Sequence, residues 1–167
     1  MRRAIGFSLL MLSACVAPQQ AAPPPLPRPT PTPTPTPLPP PPPADWRDRA
    51  YTSGDWSYAR SGGQSEARYG ETGALPRLAL TCDPRAAQVR MTWPGAPAGP
   101  LIVRTSDGDM TLQAAASDAG LLIVFAARDP MLDRIAYSRG RFMLQASAQE
   151  LIVPSWPEIS RVIEDCR

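Results

Sequence analysis

Histidine, lysine and asparagine are absent from the 167 residues, and all 17 basic residues are arginine. Without His or Lys, the Ser-His, Cys-His and Ser-Lys pairings of nucleophilic catalysis cannot be assembled, and imidazole metal sites fall away with them. No catalytic residue, metal ligand or cofactor is assigned on this sequence. Carboxylate pairs are the one catalytic route left. Asp107 and Asp109 come nearest to such a pair, but they flank Gly108 and read as solubilising turn residues. A long apolar run is also missing. The stretch at 5–12 falls well short of the roughly 20 residues that a spanning helix needs.

The balance of charge excludes a further class. Of the 17 arginines, Arg2, Arg3 and Arg28 precede residue 45, which leaves 14 against all 15 acidic residues in the rest of the chain. That part is close to neutral, with no basic face for a nucleic-acid partner.

What is present begins with a secretory signal. Arg2 and Arg3 form a charged start, the short apolar run follows, and the segment closes on Leu12-Ser13-Ala14-Cys15. That tetrapeptide resembles the lipobox of bacterial lipoproteins: an apolar residue, two small residues, then cysteine. The resemblance implies that residues 1–14 are a signal peptide and that the Cys15 thiol takes a diacylglyceryl group. Cleavage before Cys15 would then free an amino group for acylation by palmitate. Two or three chains hold a protein on a membrane stably, where one does not. In the enterobacterial pattern an Asp after the lipidated Cys retains a lipoprotein in the inner membrane. Val16 stands there, so the expected location is the outer membrane, lipid-anchored and facing the periplasm.

Residues 15–44 carry the lipidated Cys and a proline-rich linker that holds most of the 23 prolines. Proline fixes φ and removes the backbone donor, so this stretch cannot join a helix or a sheet ladder. The expectation is a disordered, polyproline-type spacer, residues 18–44 extending about 3.1 Å per residue over up to roughly 80 Å.

Residues 45–167 read as the periplasmic domain. Leu78, Leu80 and Cys82 alternate with Ala79 and Thr81, and Val89, Met91 and Trp93 alternate with Arg90 and Thr92. That period of two marks half-buried strands. Residues 101–105 and 110–113 flank Ser106-Asp107-Gly108-Asp109, and Asp-Gly is a strong hairpin signal. Residues 121–126 are apolar throughout, which predicts a strand buried on both faces, and 141–146 with 150–153 predict another hairpin. Asp129 as N-cap and Pro130 at N1 open a short helix, with Gly140 expected just past its end. Ser155-Trp156-Pro157-Glu158 reads as a capping box for a last helix whose apolar face is Ile159, Val162, Ile163 and Cys166. The fold class expected is α+β, mostly β: a small antiparallel sandwich or barrel-like sheet with one short helix and a C-terminal helix.

With Cys15 assigned to the lipobox, Cys82 and Cys166 remain as an even pair in an oxidising compartment. They are not in a Cys-x-x-Cys arrangement, so a structural disulfide tying the last helix to the sheet is expected rather than a redox pair.

Two groups of residues are candidates for ligand binding. Trp46, Tyr51, Trp56, Tyr58 and Tyr69 crowd the start of the domain, and Trp56, Tyr58 and Tyr69 could stack on sugar rings. Packing a small β core is the plainer role for them. Arg139 and Arg141, in Ser138-Arg139-Gly140-Arg141-Phe142, could grip a carboxylate or phosphate, though cations after a helix are favourable anyway. Trp56-Ser57-Tyr58, Leu78-Ala79-Leu80-Thr81-Cys82 and the closing Glu164-Asp165-Cys166-Arg167 resemble small periplasmic domains of alphaproteobacterial lipoproteins, a likeness that implies no particular activity. Ser65-Glu66-Ala67-Arg68-Tyr69 is similar to a segment of the membrane-bound lysozyme inhibitors. The function expected is a lipid-anchored envelope protein with a non-enzymatic binding or scaffolding domain, the alternative an inhibitor of a cell-wall lytic enzyme. Its partners would be the membrane, through the anchor, and peptidoglycan or another envelope protein.

Overall fold

The computed structural model describes residues 45–167. The expected signal peptide, the expected lipidation at Cys15 and the proline-rich stretch lie outside the described residues.

Nine antiparallel strands form one open sheet in the order β1-β2-β3-β4-β7-β6-β5-β8-β9. They are β1 Asp55–Ser61, β2 Gln64–Gly70, β3 Leu78–Asp83, β4 Gln88–Pro94, β5 Gly99–Thr105, β6 Gly108–Ser117, β7 Gly120–Ala126, β8 Arg141–Ala146 and β9 Gln149–Pro154. Helix α1 (Pro130–Ala136) lies between β7 and β8 in the chain, and α2 (Pro157–Asp165) ends it. The mostly-β class is as expected.

Strand β6 joins the two parts of the sheet. Its residues from Gly108 to Ala114 pair with β5, and those from Ala115 to Ser117 pair with β7. The two outer strands approach without forming a ladder. The Trp56 indole N–H on β1 donates to the Pro154 carbonyl on β9 at 2.8 Å. Just before β1, Thr52 serves β9 as a strand would: its N–H donates to the Ile152 carbonyl at 2.8 Å, and its hydroxyl accepts from the Ile152 N–H at 3.1 Å. These bonds occupy backbone groups that an edge strand otherwise leaves open.

Alternation explains the core. Leu78, Leu80 and Cys82 on β3, and Val89, Met91 and Trp93 on β4, all face inward and are buried. Helix α2 covers that face with Ile159, Val162 and Ile163. Cys166 is bonded to Cys82 with the Cα atoms 5.5 Å apart, so the chain's end is fastened to β3. On β8 and β9 both faces are covered. Phe142, Leu144, Leu151 and Val153 join the main core, while Met143 and Ile152 bury against Trp46 on the opposite side.

One hairpin is not signalled by the sequence, and four local expectations need correction. The hairpin of β1 and β2 gives no apolar run. It is made by Gly62-Gly63, at φ 60° and 81°, between the paired Ser61 and Gln64, as a tight primed turn requires. The β5–β6 turn has Ser106-Asp107 at its tip, and Gly108 takes φ 122° as the first strand residue rather than as a central turn residue. Strand β7 is buried on one face only. Leu121, Ile123 and Phe125 point inward, while Val124 is 46% exposed. Helix α1 is capped by Asp129 as expected, its carboxylate accepting from the Met131 N–H at 2.8 Å. Its C-cap is Tyr137, however, and Gly140 (φ 76°) belongs to the turn into β8. The capping box of α2 does not form: Trp156 is the N-cap and has no side-chain bond, because the Ser155 hydroxyl donates to the Ile135 carbonyl of α1 instead.

Candidate functional site

The proposed aromatic site resolves into structural contacts. Trp56 and Tyr69 are brought together, ring centroids 5.2 Å apart, but both are buried. The Tyr69 hydroxyl donates to the Thr52 carbonyl, and the Trp56 N–H is used by Pro154. Tyr58 is tied to α2: its hydroxyl donates to Asp165 at 2.6 Å, and the Arg161 guanidinium lies 4.5 Å from its ring centre. The flat faces that stacking on a sugar would use are taken by the core and by that guanidinium. A hollow of about 410 Å³ does open between β1, β2 and the loop after them, where Trp56 and Tyr69 contribute beside Arg68, Glu71 and Pro76. In the inhibitor-like segment, Ser65, Ala67 and Tyr69 point into the core, and Glu66 and Arg68 pair with each other at 2.7 Å.

The arginine pair fares differently. Arg139 and Arg141 line one hollow of about 210 Å³ together with Trp46, Arg47 and Ser106. Three separate segments build it. The N-terminal strap over residues 45–52 places Trp46 on Met143 and Ile152. Arg47 lies over the Trp46 ring at 4.8 Å, a cation–π geometry. The β5–β6 turn contributes Ser106, and the turn from α1 into β8 contributes the two arginines.

Short polar links lock these turns together. The Ser106 N–H donates to the buried Ser138 hydroxyl at 2.9 Å, the Arg139 N–H donates to the Ser106 hydroxyl oxygen at 3.1 Å, and the Ser138 hydroxyl donates to the Arg141 carbonyl. The strap is fastened from the same place. Arg141 donates through Nη1 to the Arg49 carbonyl and lies 4.2 Å above the Tyr51 ring, while the Tyr51 hydroxyl donates to the Gly140 carbonyl at 3.2 Å.

Charge on this side of the domain is unevenly satisfied. Arg47 pairs with Asp45 at 3.2 Å, Arg49 with Glu150, and Arg104 faces Asp109 at 3.5 Å, an ion pair too long for a good hydrogen bond. Arg139 and Arg141 form no ion pair among the described residues. The Arg47 backbone N–H, followed by its guanidinium and that of Arg104, holds the Asp45 carboxyl below its ordinary pKa despite some opposing desolvation. Ser106 has no general base beside it in the hollow, whose other lining side chains are three arginines and a tryptophan. The arrangement can hold a negatively charged group, and it offers no group to accept a proton.

Sequence reasoning reached Arg139 and Arg141 and missed the partners that give them a site. Trp46 stood in the aromatic cluster and Ser106 in the hairpin turn, but no spacing linked either to residue 139. No protein-family model, no curated protein and no solved structure matches the chain.

Proposed function

We propose that the chain is a lipoprotein of the bacterial cell envelope. It is exported, cut before Cys15, anchored in the outer membrane by lipid, and carries residues 45–167 as a non-enzymatic binding domain in the periplasm. The division of the three cysteines carries the reading. Cys82 and Cys166 are joined to each other, as suits an oxidising compartment, and the third stands in Leu12-Ser13-Ala14-Cys15. A binding role is supported by the donor-lined hollow at Arg139 and Arg141, which has charge to offer and no nucleophile–base pair. The experiment is fractionation with acyl-chain labelling of the protein and of Cys15→Ala. The unaltered protein should take up label and stay with outer membranes in high salt, and the variant should lose both. A variant that still pellets and still takes up label would overturn the anchor.

A further inference from the structure

We propose that the hollow between the strap, the β5–β6 turn and the turn before β8 is an oxyanion site, taking one carboxylate or phosphate group of a larger envelope molecule. The proposal rests on the reading of the domain as a binding domain and names the chemistry of what it binds.

The lining decides the class of ligand. Arg47, Arg139 and Arg141 are donor-only side chains, as is the Trp46 indole. The Ser106 oxygen already accepts from the Arg139 backbone N–H, and its own proton has no acceptor among the described residues, so it can donate to a ligand. No lining side chain is acidic. A cationic group would meet like charge there and a neutral acceptor would be held only by ordinary hydrogen bonds, whereas a carboxylate or phosphate can accept stronger charge-assisted bonds from several sides at once.

Placement of charge and rigidity point the same way. Arg47, Arg49 and Arg104 have carboxylate partners, and Arg139 and Arg141 have none among the described residues. Arg141 is held in place by the Tyr51 ring and the Arg49 carbonyl, which use one face and one N–H of its guanidinium. The two turns are already tied through Ser106 and Ser138. A ligand would therefore meet Arg141 and the two turns already in position, and among the arginines without a carboxylate partner only Arg139 would have its side chain to order. A volume of about 210 Å³ corresponds to about seven waters. It admits one charged group and leaves the rest of a larger molecule outside.

Titration of the full mature protein in neutral detergent tests this, followed by the NMR signals of the Trp46 indole N–H and the Ser106 and Arg139 amides. Inorganic phosphate, citrate and soluble dihexanoyl phosphatidylglycerol are added at constant ionic strength, against chloride. Saturable shifts confined to the hollow are expected from at least one oxyanion. A stronger response to the lipid assigns the group to a phosphodiester headgroup, and a stronger response to citrate assigns it to a carboxylate source. Arg139 is exposed and its side chain makes no hydrogen bond or ion pair among the described residues, so Arg139→Gln should leave the thermal midpoint unchanged and weaken binding about tenfold. Arg139→Lys should recover part of the loss. Shifts that chloride reproduces, or full affinity in both Arg139→Gln and Arg141→Gln, would overturn the site. Crosslinking in intact envelopes separates the two readings: partners still captured by Arg139→Gln would sink the hollow alone, and no specific capture by either protein would sink the binding role too.

Discussion

The Tyr58 hydroxyl donates to Asp165 at 2.6 Å, joining the first strand of the sheet to the residue beside the bridged Cys166. Arg60, also on β1, forms an ion pair with the same carboxylate. The end of α2 is thus held twice: covalently to β3, and by a charged hydrogen-bond cluster to β1. Among the described residues β1 has only β2 as a ladder partner, so these side-chain links to α2, the Trp56–Pro154 bond and the burial of Trp56 in the core fix it to the rest of the domain.

That cluster should make the stability of the domain depend on pH. Burial alone would raise the Asp165 pKa, but the Tyr58 hydroxyl and the Arg60 and Arg161 charges outweigh it, and the net direction is below the ordinary 3.8. A carboxyl depressed in the folded state contributes stability that is complete above its unfolded pKa and is lost as pH falls through the folded one. The thermal midpoint should therefore fall below about pH 4. Asp165→Asn should be less stable at pH 7 and show a shallower acid decline. The Tyr58 pKa is raised above 10.0, first by its bond to Asp165, so its contribution is present below that value and fades above it. Tyr58→Phe should flatten the alkaline decline. Melts across the pH range check both limbs, and an Asp165→Asn curve parallel to that of the unaltered protein would contradict the assignment.

Trp56 links the two outer strands of the sheet and is 7% exposed. Trp56→Ala should cost about 3–5 kcal/mol in urea unfolding, from lost burial and the cavity left behind. Trp56→Phe keeps most of the apolar contact but strands the Pro154 carbonyl, at about 1–2 kcal/mol. If Trp56 were instead a ligand platform, the alanine variant would melt normally.

Cys82 and Cys166 are 84 residues apart in the chain. Closing a loop of that length is worth about 4–5 kcal/mol in the chain-entropy model. The Cys82→Ala, Cys166→Ala double variant should unfold at a correspondingly lower urea concentration. Non-reducing peptide mapping of protein alkylated as its host cells are broken should show the single bridge, and two free thiols would refute it.

Much of the fold was legible because local pattern and burial agree. The alternation in β3 and β4, the Asp129-Pro130 helix start and the apolar face of α2 all follow from spacing alone. Failures came where a residue had another partner far along the chain. Ser155 looked like a cap until the Ile135 carbonyl, 20 residues earlier, took its hydroxyl. Trp56 and Tyr69 are buried, in keeping with the plainer of their two expected roles, although the Gly62-Gly63 hairpin that carries them has few aliphatic residues to announce it as strand. Val124 lies in an apolar run yet faces outward, because nothing among the described residues covers that side of β7. The hollow was half legible. Arginines flanking a glycine suggested an anion, but Ser106 reaches Arg139 across 33 residues and Trp46 arrives on a strap from the start of the domain. Periodicity carries no information about such meetings.

The strap supplies the last prediction. The domain was expected to begin near Asp45, and Trp46 is already 7% exposed, packed on Met143 and Ile152. Arg49 pairs with Glu150, and Thr52 bonds both backbone groups of Ile152. Chains beginning at Val16 and at Asp45 should therefore melt within about 2 °C of each other, since one kcal/mol moves a domain of this size by several degrees. A chain beginning at Ser53 should behave quite differently. It uncovers the outer face of β8 and β9 and releases the β9 edge, for a loss of about 3–5 kcal/mol and a midpoint lower by roughly 10 °C or more. It also removes Trp46 and Arg47 from the hollow, so whatever anion affinity the domain has should fall even under conditions where the shortened chain stays folded. Equal midpoints for the chains beginning at Asp45 and Ser53 would mean that the strap merely rests on the domain. A clearly lower midpoint for the chain beginning at Asp45 than for the one beginning at Val16 would mean that residues 16–44 pack on the domain, and the expectation that they are a spacer would have to be abandoned.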